Sequence, residues 1–193
     1  MQQFLRMEKK GTKQKSIVEE INLPEKVTAS LDKGVLTIKG PKGEVKRDIS
    51  TKKVKFEAKE KTIVLDAGKS NKIKKKTVKS YAAHIRNMIK GSSEGHKYTL
   101  KICSGHFPMN VSISNNEFIV KNFLGEKVPR ALKIKEGAKV KVEGNEVVVE
   151  SQSKEIAGQV SADIEQLTRR TNYDARIFQD GIYIINKDGK EIK

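Results

Sequence analysis

Polar and apolar residues alternate from Val27 to Ile38, and the same alternation returns 82 residues later, from Met109 to Val120. Val27, Ala29, Leu31, Leu36 and Ile38 correspond to Met109, Val111, Ile113, Phe118 and Val120. A period of two is the signature of strands with one buried face. Polar positions are kept as well: Ser30, Lys39, Gly43 and Glu44 match Ser112, Lys121, Gly125 and Glu126. Further on, Val54-Lys55-Phe56-Glu57 is echoed by Val140-Lys141-Val142-Glu143, and each copy closes on a helical stretch. A unit present only twice predicts a tandem of small domains, too few for a solenoid.

The pattern predicts the same element order in each copy. Val27–Leu31 and Val35–Lys39 form a hairpin over Asp32-Lys33-Gly34. Gly40-Pro41-Lys42-Gly43 turns the chain into a strand over 44–49, and Val54–Ala58 pairs with Thr62–Asp66 over Lys59-Glu60-Lys61. A helix over Asn71–Lys90 follows, with Ile73, Val78, Tyr81, Ala82, Ile85, Met88 and Ile89 on one face and Gly91 as its stop. Tyr98–Cys103 then leads into the second copy. There Met109–Ile113 and Phe118–Lys121 pair over Ser114-Asn115-Asn116, Phe123-Leu124-Gly125-Glu126 makes an exposed turn, and Arg130–Lys135 forms a basic strand. Val140–Glu143 and Glu146–Glu150 pair over Gly144-Asn145. A second helix capped by Ser153 turns Ile156, Val160, Ile164 and Leu167 inward and ends near Arg169-Arg170, and Ile182–Ile185 closes the sheet. The expected fold is α+β: two tandem duplicated domains, each an antiparallel sheet with one helix packed on a face. The divisions are a basic extension at 1–20, a first domain at 21–92, a second at 93–187 and a short tail at 188–193, with the joint near Gly91–Gly95.

Composition narrows the chemistry. With 193 residues, no Trp and 5% aromatics, each unit of the tandem has a modest core. The single Cys103 excludes an internal disulfide framework and reads as a small buried hydrophobe in its strand. No stretch approaches a membrane span, and residues 1–15 lack the apolar segment of a signal peptide, so a soluble intracellular protein is expected. Charge is uneven. Of a net +16, residues 1–108 carry 26 Lys and Arg against 11 Asp and Glu, whereas residues 109–193 carry 14 against 13. Such one-sidedness points to a polyanion. A membrane surface would favour bulky anchors that the basic helix lacks, so nucleic acid is the better polyanion.

Catalytic patterns are missing. Ala67-Gly68-Lys69-Ser70 resembles the end of a phosphate-binding loop, but the earlier glycine it needs is Ile63. His84, His96 and His106 are not at metal-ligand spacing, and one cysteine cannot complete a zinc site. His84 reads as a side chain at the core edge of its helix. No enzyme activity, cofactor or metal is expected.

Five segments go further: Lys39-Gly40-Pro41-Lys42-Gly43, the run from His84 to Gly91, His106-Phe107-Pro108-Met109-Asn110-Val111, Asn122-Phe123-Leu124-Gly125-Glu126-Lys127, and Asp174–Ile184. In this order, across about residues 21–187, they closely resemble the universal ribosomal protein six family of the large subunit, in its eukaryotic or archaeal branch, where the eukaryotic name is protein nine. The resemblance implies a structural part of the large ribosomal subunit that binds rRNA near the sarcin–ricin loop, where translational GTPases dock. Its implied partners are large-subunit rRNA, neighbouring large-subunit proteins and, indirectly, those GTPases. No membrane and no homo-oligomer are implied. The implied location is the cytoplasmic ribosome, with nuclear and nucleolar passage during assembly if the host is eukaryotic.

Mapped onto this sequence, the family's rRNA contacts fall on Lys121, Asn122, Gly125, Lys127, Arg130 and Lys133, with Arg169, Arg170, Asn172 and Arg176. Two departures stand out: Ala67–Lys76 lacks the tryptophan-bearing aromatic stretch of many eukaryotic relatives, and residues 1–20 and those after Lys187 lie outside the family pattern. Charge alone adds phosphate contacts at Lys39, Lys42, Lys46, Arg47, Lys72, Lys74, Lys75, Lys76 and Lys79, whose alternative role is a solvated face. Gly125-Glu126 taken alone is a plain hairpin turn. Two further readings compete: a non-resident RNA-binding or ribosome-assembly module, and an adaptor that presents Phe123 and Leu124 to another protein.

Overall fold

The computed structural model describes residues 16–51, 54–58, 62–69, 71–174 and 176–192. The first half contains β1 (Ser16–Asn22), β2 (Thr28–Asp32), β3 (Val35–Gly40), β4 (Gly43–Asp48), β5 (Lys55–Ala58), β6 (Thr62–Lys69) and the helix α1 (Lys72–Ser93). The second contains β7 (His96–Cys103), β8 (Asn110–Ser114), β9 (Glu117–Lys121), β10 (Arg130–Lys133), β11 (Ala138–Glu143), β12 (Glu146–Ser151), α2 (Lys154–Leu167), β13 (Gly181–Lys187) and β14 (Lys190–Glu191).

The strands form two three-stranded meanders, a further three-stranded sheet and one sheet of five strands, all antiparallel. Order β2-β3-β4 in the first half is matched by β8-β9-β10 in the second, and order β1-β6-β5 by β7-β12-β11. β13 and β14 extend the last sheet beyond β7. The duplication is therefore present in three dimensions, with the strands of each half divided between two sheets where the alternation alone suggested one. The hairpins follow from turn chemistry. Lys33 and Gly34 have φ of 48° and 86°, Asn115 and Asn116 of 50° and 63°. Paired positive values are those of the tight turns whose twist matches the flanking strands.

Each helix closes a core against its own sheets. Val78, Ala82 and Ile85 of α1 are buried with Leu36, Ile38, Ile63 and Leu65. Ala157, Val160 and Ile164 of α2 are buried with Leu100, Phe118, Val147, Val149 and Ile182. Ser153 caps α2 as expected, its hydroxyl accepting from the Ile156 N–H at 3.5 Å.

Four expectations are corrected. The extension does not run through residue 20: β1 begins at Ser16, pairs along β6 and is tied to α1 by Arg86 and Glu19 at 2.5 Å. Its charges hid it, since Glu19 and Glu20 interrupt the apolar pattern; residues 1–15 lie outside the described residues, as does the Lys59-Glu60-Lys61 turn. The tail is not free of the sheet, because β14 pairs with the end of β13. Ile73 does not join the apolar face of α1 but stands 60% exposed, in the first turn of the helix. Gly91 does not stop α1. The helix continues to Ser93 and ends at Gly95, whose N–H and that of Glu94 both bond the Lys90 carbonyl.

Gly91 serves the seam between the halves instead. A Cβ there would lie 1.9 Å from the Gln152 carbonyl oxygen, at the junction of β12 and α2. Nearby, a Cβ on Gly40 would lie 2.5 Å from the Ser92 carbonyl oxygen. The closeness is used: the Lys42 N–H donates to Ser92 O at 2.9 Å, and the Gln152 side-chain amide donates to Lys42 O at 2.5 Å. Buried His96 bridges the seam's far side, with Nδ1 2.6 Å from the Asp188 carboxylate and Nε2 3.0 Å from the Asn87 carbonyl. Arg47 of β4 reaches across to Glu155 of α2, beside His84 of α1. Burial and the Arg47 charge hold the His84 ring below the usual imidazole range, against the pull of Glu155.

Gly91→Ala inserts a methyl group where backbone cannot retreat. The expected loss of unfolding free energy is about 2–3 kcal/mol, measured by urea denaturation. An unchanged midpoint would mean that α1 slides along β12 without cost.

Candidate nucleic-acid interface

The lysines of the first half fall into two groups. On the β2-β3-β4 sheet, Lys39 and Lys46 flank Glu44 at 3.6 and 2.9 Å, so part of their charge is already balanced. Hydrogen bonding from Lys46 holds the Glu44 carboxyl below its usual range. Arg47 follows Lys46 in sequence but points to the opposite face, as strand geometry requires, and is engaged with Glu155 in the seam. Lys42 keeps an exposed side chain on a turn whose backbone is bonded into the seam.

The second group lies on α1. Lys72, Lys75, Lys76 and Lys79 are exposed and share one face by their i, i+3, i+4, i+7 spacing. Lys74 leaves this stripe and donates to the Ala67 carbonyl at 2.9 Å. The first turn of α1 holds no acidic residue, and Asn71 makes no side-chain capping bond. Cations at the positive end of a helix oppose its dipole. The stripe therefore lowers the helix's own stability while favouring an anion beside it.

In the second half, alternation again sorts the charges. Lys121 of β9 and Lys133 of β10 lie on the outer face of their meander with Asn110, Ser112 and Ser114, a polar exposed surface. Lys127 is exposed on the following turn. Among the described residues, Lys121, Lys127 and Lys133 form no ion pair, although Glu117 stands directly opposite Lys133 on the same face.

The 123–125 turn is built on left-handed backbone: Asn122, Leu124 and Gly125 have φ of 58°, 47° and 78°. Asn122 holds its entry by donating to the Pro108 carbonyl at 3.0 Å. Phe107, half-exposed, lies with its ring 3.6 Å from the site of a Cβ on Gly125. Phe123 is fully buried, so the turn does not offer it to a protein partner; Leu124 is partly buried against the same core.

Arg130 differs from the expectation most. Its guanidinium lies 4.4 Å over the Phe123 ring, donates to both Glu126 carboxylate oxygens at 2.8 and 2.7 Å, and donates to the Leu167 carbonyl at 2.6 Å. That carbonyl belongs to the last turn of α2, where a cation is favoured. Arg130 is thus occupied inside the protein, because its position pairs with Val120 on the inward side of β9. Hydrogen bonds from Arg130 hold the Glu126 carboxyl below its usual value despite burial, with the Arg130 and Arg170 charges adding to the effect.

The loop after α2 brings Arg169 and Arg170 beside this turn and carries Asn172 and Arg176 further on. Arg170 also reaches Glu126 at 3.2 Å and covers the Tyr173 ring at 4.6 Å. Asn172 is left-handed at φ 69°, and Arg176, highly exposed, is paired with Asp174 at 3.0 Å. The far end of the loop is fixed by Asp180. It accepts from the Gly105 and His106 N–H groups at 2.7 and 3.0 Å and lies 2.5 Å from His106 Nδ1. Burial pushes the Asp180 carboxyl up, but those bonds outweigh it and the net direction is down. His106 stacks on Phe178, and Tyr173 meets Phe178 edge-on.

Sequence reasoning assigned no role to Tyr173, Phe178 or Glu165. Their common signal, aromatics and a carboxylate beside arginines, lies within residues 165–178, a stretch with no periodicity to single it out. Among the described residues there is no cluster of metal-binding side chains and no helix long and apolar enough to cross a membrane.

The profile of the family described as ribosomal protein L6 matches residues 23–95 and again 107–181, one match per half. The large ribosomal subunit protein uL6 of Methanosarcina mazei is 46% identical over 173 residues, covering 90% of this chain and 98% of that protein. Its counterpart from Methanococcus vannielii is 42% identical, covering 90% and 96%, and that of Natronomonas pharaonis 38%, covering 86% and 93%.

Arg130→Met is expected to lower stability by about 2 kcal/mol, through the charged hydrogen bonds it removes, whereas Lys127→Met leaves thermal unfolding unchanged. Acid titration checks the same contacts. Glu126 and Asp180 are lower in the folded than in the unfolded chain, where they sit near 4.5 and 3.8. Their stabilisation is complete above those values and is lost as pH falls through the lower folded ones. Glu126→Gln removes its share, so the fall in melting temperature between pH 5 and the acid limit becomes shallower, on the order of one carboxylate's contribution.

Proposed function

The chain belongs to the ribosomal protein L6 family, and from that premise we propose that the outer face of its second half fixes it to rRNA by phosphate contacts. It is a structural, non-enzymatic protein of the large ribosomal subunit, working among rRNA and other ribosomal proteins. The observation that carries the finer reading is the outward set Lys121 and Lys133 on the sheet and Lys127 on the turn between their strands, none of them held in an ion pair among the described residues. Phosphate contacts of this kind position a protein without reading sequence. A-form RNA presents phosphates and 2′-hydroxyls to such a surface more readily than base edges.

Arg169 extends that surface. Arg130 supports it from within, while Arg170 and Arg176 contribute charge already shared with Glu126 and Asp174. The stripe of Lys72, Lys75, Lys76 and Lys79 forms a second phosphate-binding edge. Placement near the sarcin–ricin loop and the GTPase docking region rests on the family resemblance. Nuclear passage applies only in a eukaryotic host, and the relatives named above are archaeal.

Joint Lys121→Glu and Lys133→Glu replacement is expected to weaken binding to large-subunit rRNA at least about tenfold and to flatten the dependence of log affinity on log salt by about 2. Sucrose-gradient sedimentation after a high-salt wash should find the native chain stoichiometric in mature subunits. Recovery only in precursor particles or free fractions would make it a transient assembly module instead.

A further inference from the structure

A groove of about 420 Å³ opens behind the turn described above, between α2, the loop after it and β13. Two exposed tyrosines mark it: Tyr173, 45% exposed, and Tyr183, 43% exposed. Glu165, Gln166 and Arg169 line it from the end of α2. Asp180 also borders the groove, but its oxygens are taken by Gly105 and His106. Glu165 has no cation paired with it among the described residues, and neither has the Arg169 guanidinium a carboxylate. A lone carboxylate, an arginine and stacking surfaces around one cleft are poor recognition for a phosphate alone, because the carboxylate repels it.

We infer that this groove receives a single unpaired guanine base of the bound rRNA. Stacking comes from Tyr173, whose ring is already held by Arg170 at 4.6 Å and by Phe178 at 5.0 Å and so loses little freedom on binding. Discrimination comes from Glu165. The Watson–Crick edge of guanine offers two adjacent donors, N1–H and the N2 amino group, which a carboxylate accepts together. Adenine and cytosine each offer one donor beside an acceptor and cannot satisfy both carboxylate oxygens. The Gln166 amide supplies a donor for guanine O6, and Arg169 takes the phosphate of the same nucleotide. A duplex would not deliver its base here, since that edge is used in pairing; a bulge or loop would.

The inference rests on the rRNA-binding reading, and the experiment separates the two. Full-length protein is titrated against three labelled RNA hairpins sharing one stem: fully paired, with one bulged guanosine, and with one bulged adenosine. Expected is binding to all three, with the guanosine bulge about tenfold tighter. Glu165→Gln, a near-isosteric change at a partly buried position, should abolish the preference for guanosine over adenosine while leaving the paired stem unaffected. Tyr173→Ala should remove the bulge preference altogether; its melting temperature is checked alongside. Equal affinity for all three hairpins, or an unchanged preference in Glu165→Gln, overturns the inference. Guanosine monophosphate that competes as tightly as the bulged hairpin also overturns it, in favour of a free-nucleotide site. Failure to bind any hairpin contradicts the rRNA-binding reading itself.

Discussion

The close approach of α1 to the β12–α2 junction is the constraint on which the rest of the molecule depends. Helix backbone and loop backbone meet where Gly91 has no side chain to hold them apart. The contact lets Lys42, Ser92 and Gln152 satisfy one another's polar groups and brings Arg47 and His84 to Glu155. Two small halves, each with a modest core, thereby share a polar seam with directional bonds. Such bonds fix an angle, which apolar contact alone fixes weakly. The lysine stripe of α1 and the outer sheet face of the second half are consequently held at a defined separation, a condition for two surfaces to grip one rigid RNA.

Duplication gave the two halves the same meander and then different uses for its second turn. In the first half, the turn at Pro41-Lys42 is two residues long and its backbone is bonded into the seam. In the second, the equivalent connection is longer and carries the left-handed turn at 123–125, braced by Arg130. Because the first copy is spent on internal docking, only the second presents its turn outward. The nearly neutral half is thus an RNA-binding candidate through its meander, whereas the accessible charge of the basic half lies on the α1 stripe and not on its meander.

The arginines illustrate the same point. Arg47 and Arg130 both lie on inward positions of third strands in their meanders, β4 and β10, and both bind a glutamate. Their planar guanidinium groups suit such multidentate roles. The lysines on the outward positions of these meanders are exposed, Lys39 and Lys46 beside Glu44 and Lys121 and Lys133 without an ion pair among the described residues. A count of basic residues treats these two sets alike, whereas strand parity separates them.

The sequence by itself determined the duplication, the α+β class, the hairpins and the burial of each helix, because these depend on local periodicity and turn chemistry: Asn115-Asn116 and Lys33-Gly34 specify their turns wherever they occur. The family was equally legible in five short segments. Tertiary structure alone decided that β1 belongs to the first half, since its partner β6 lies some forty residues away and pairing compensates for its charged alternation. It also decided that Gly91 is a packing residue and not a stop, and that Arg130 faces Phe123 and Glu126 and not solvent. Each of these turns on a contact between positions far apart in the chain, or on which side of a strand meets the core. The groove is of a mixed kind: Glu165, Arg169 and Tyr173 are neighbours in the chain, and the packing of α2 beside β13 adds Tyr183 to its lining.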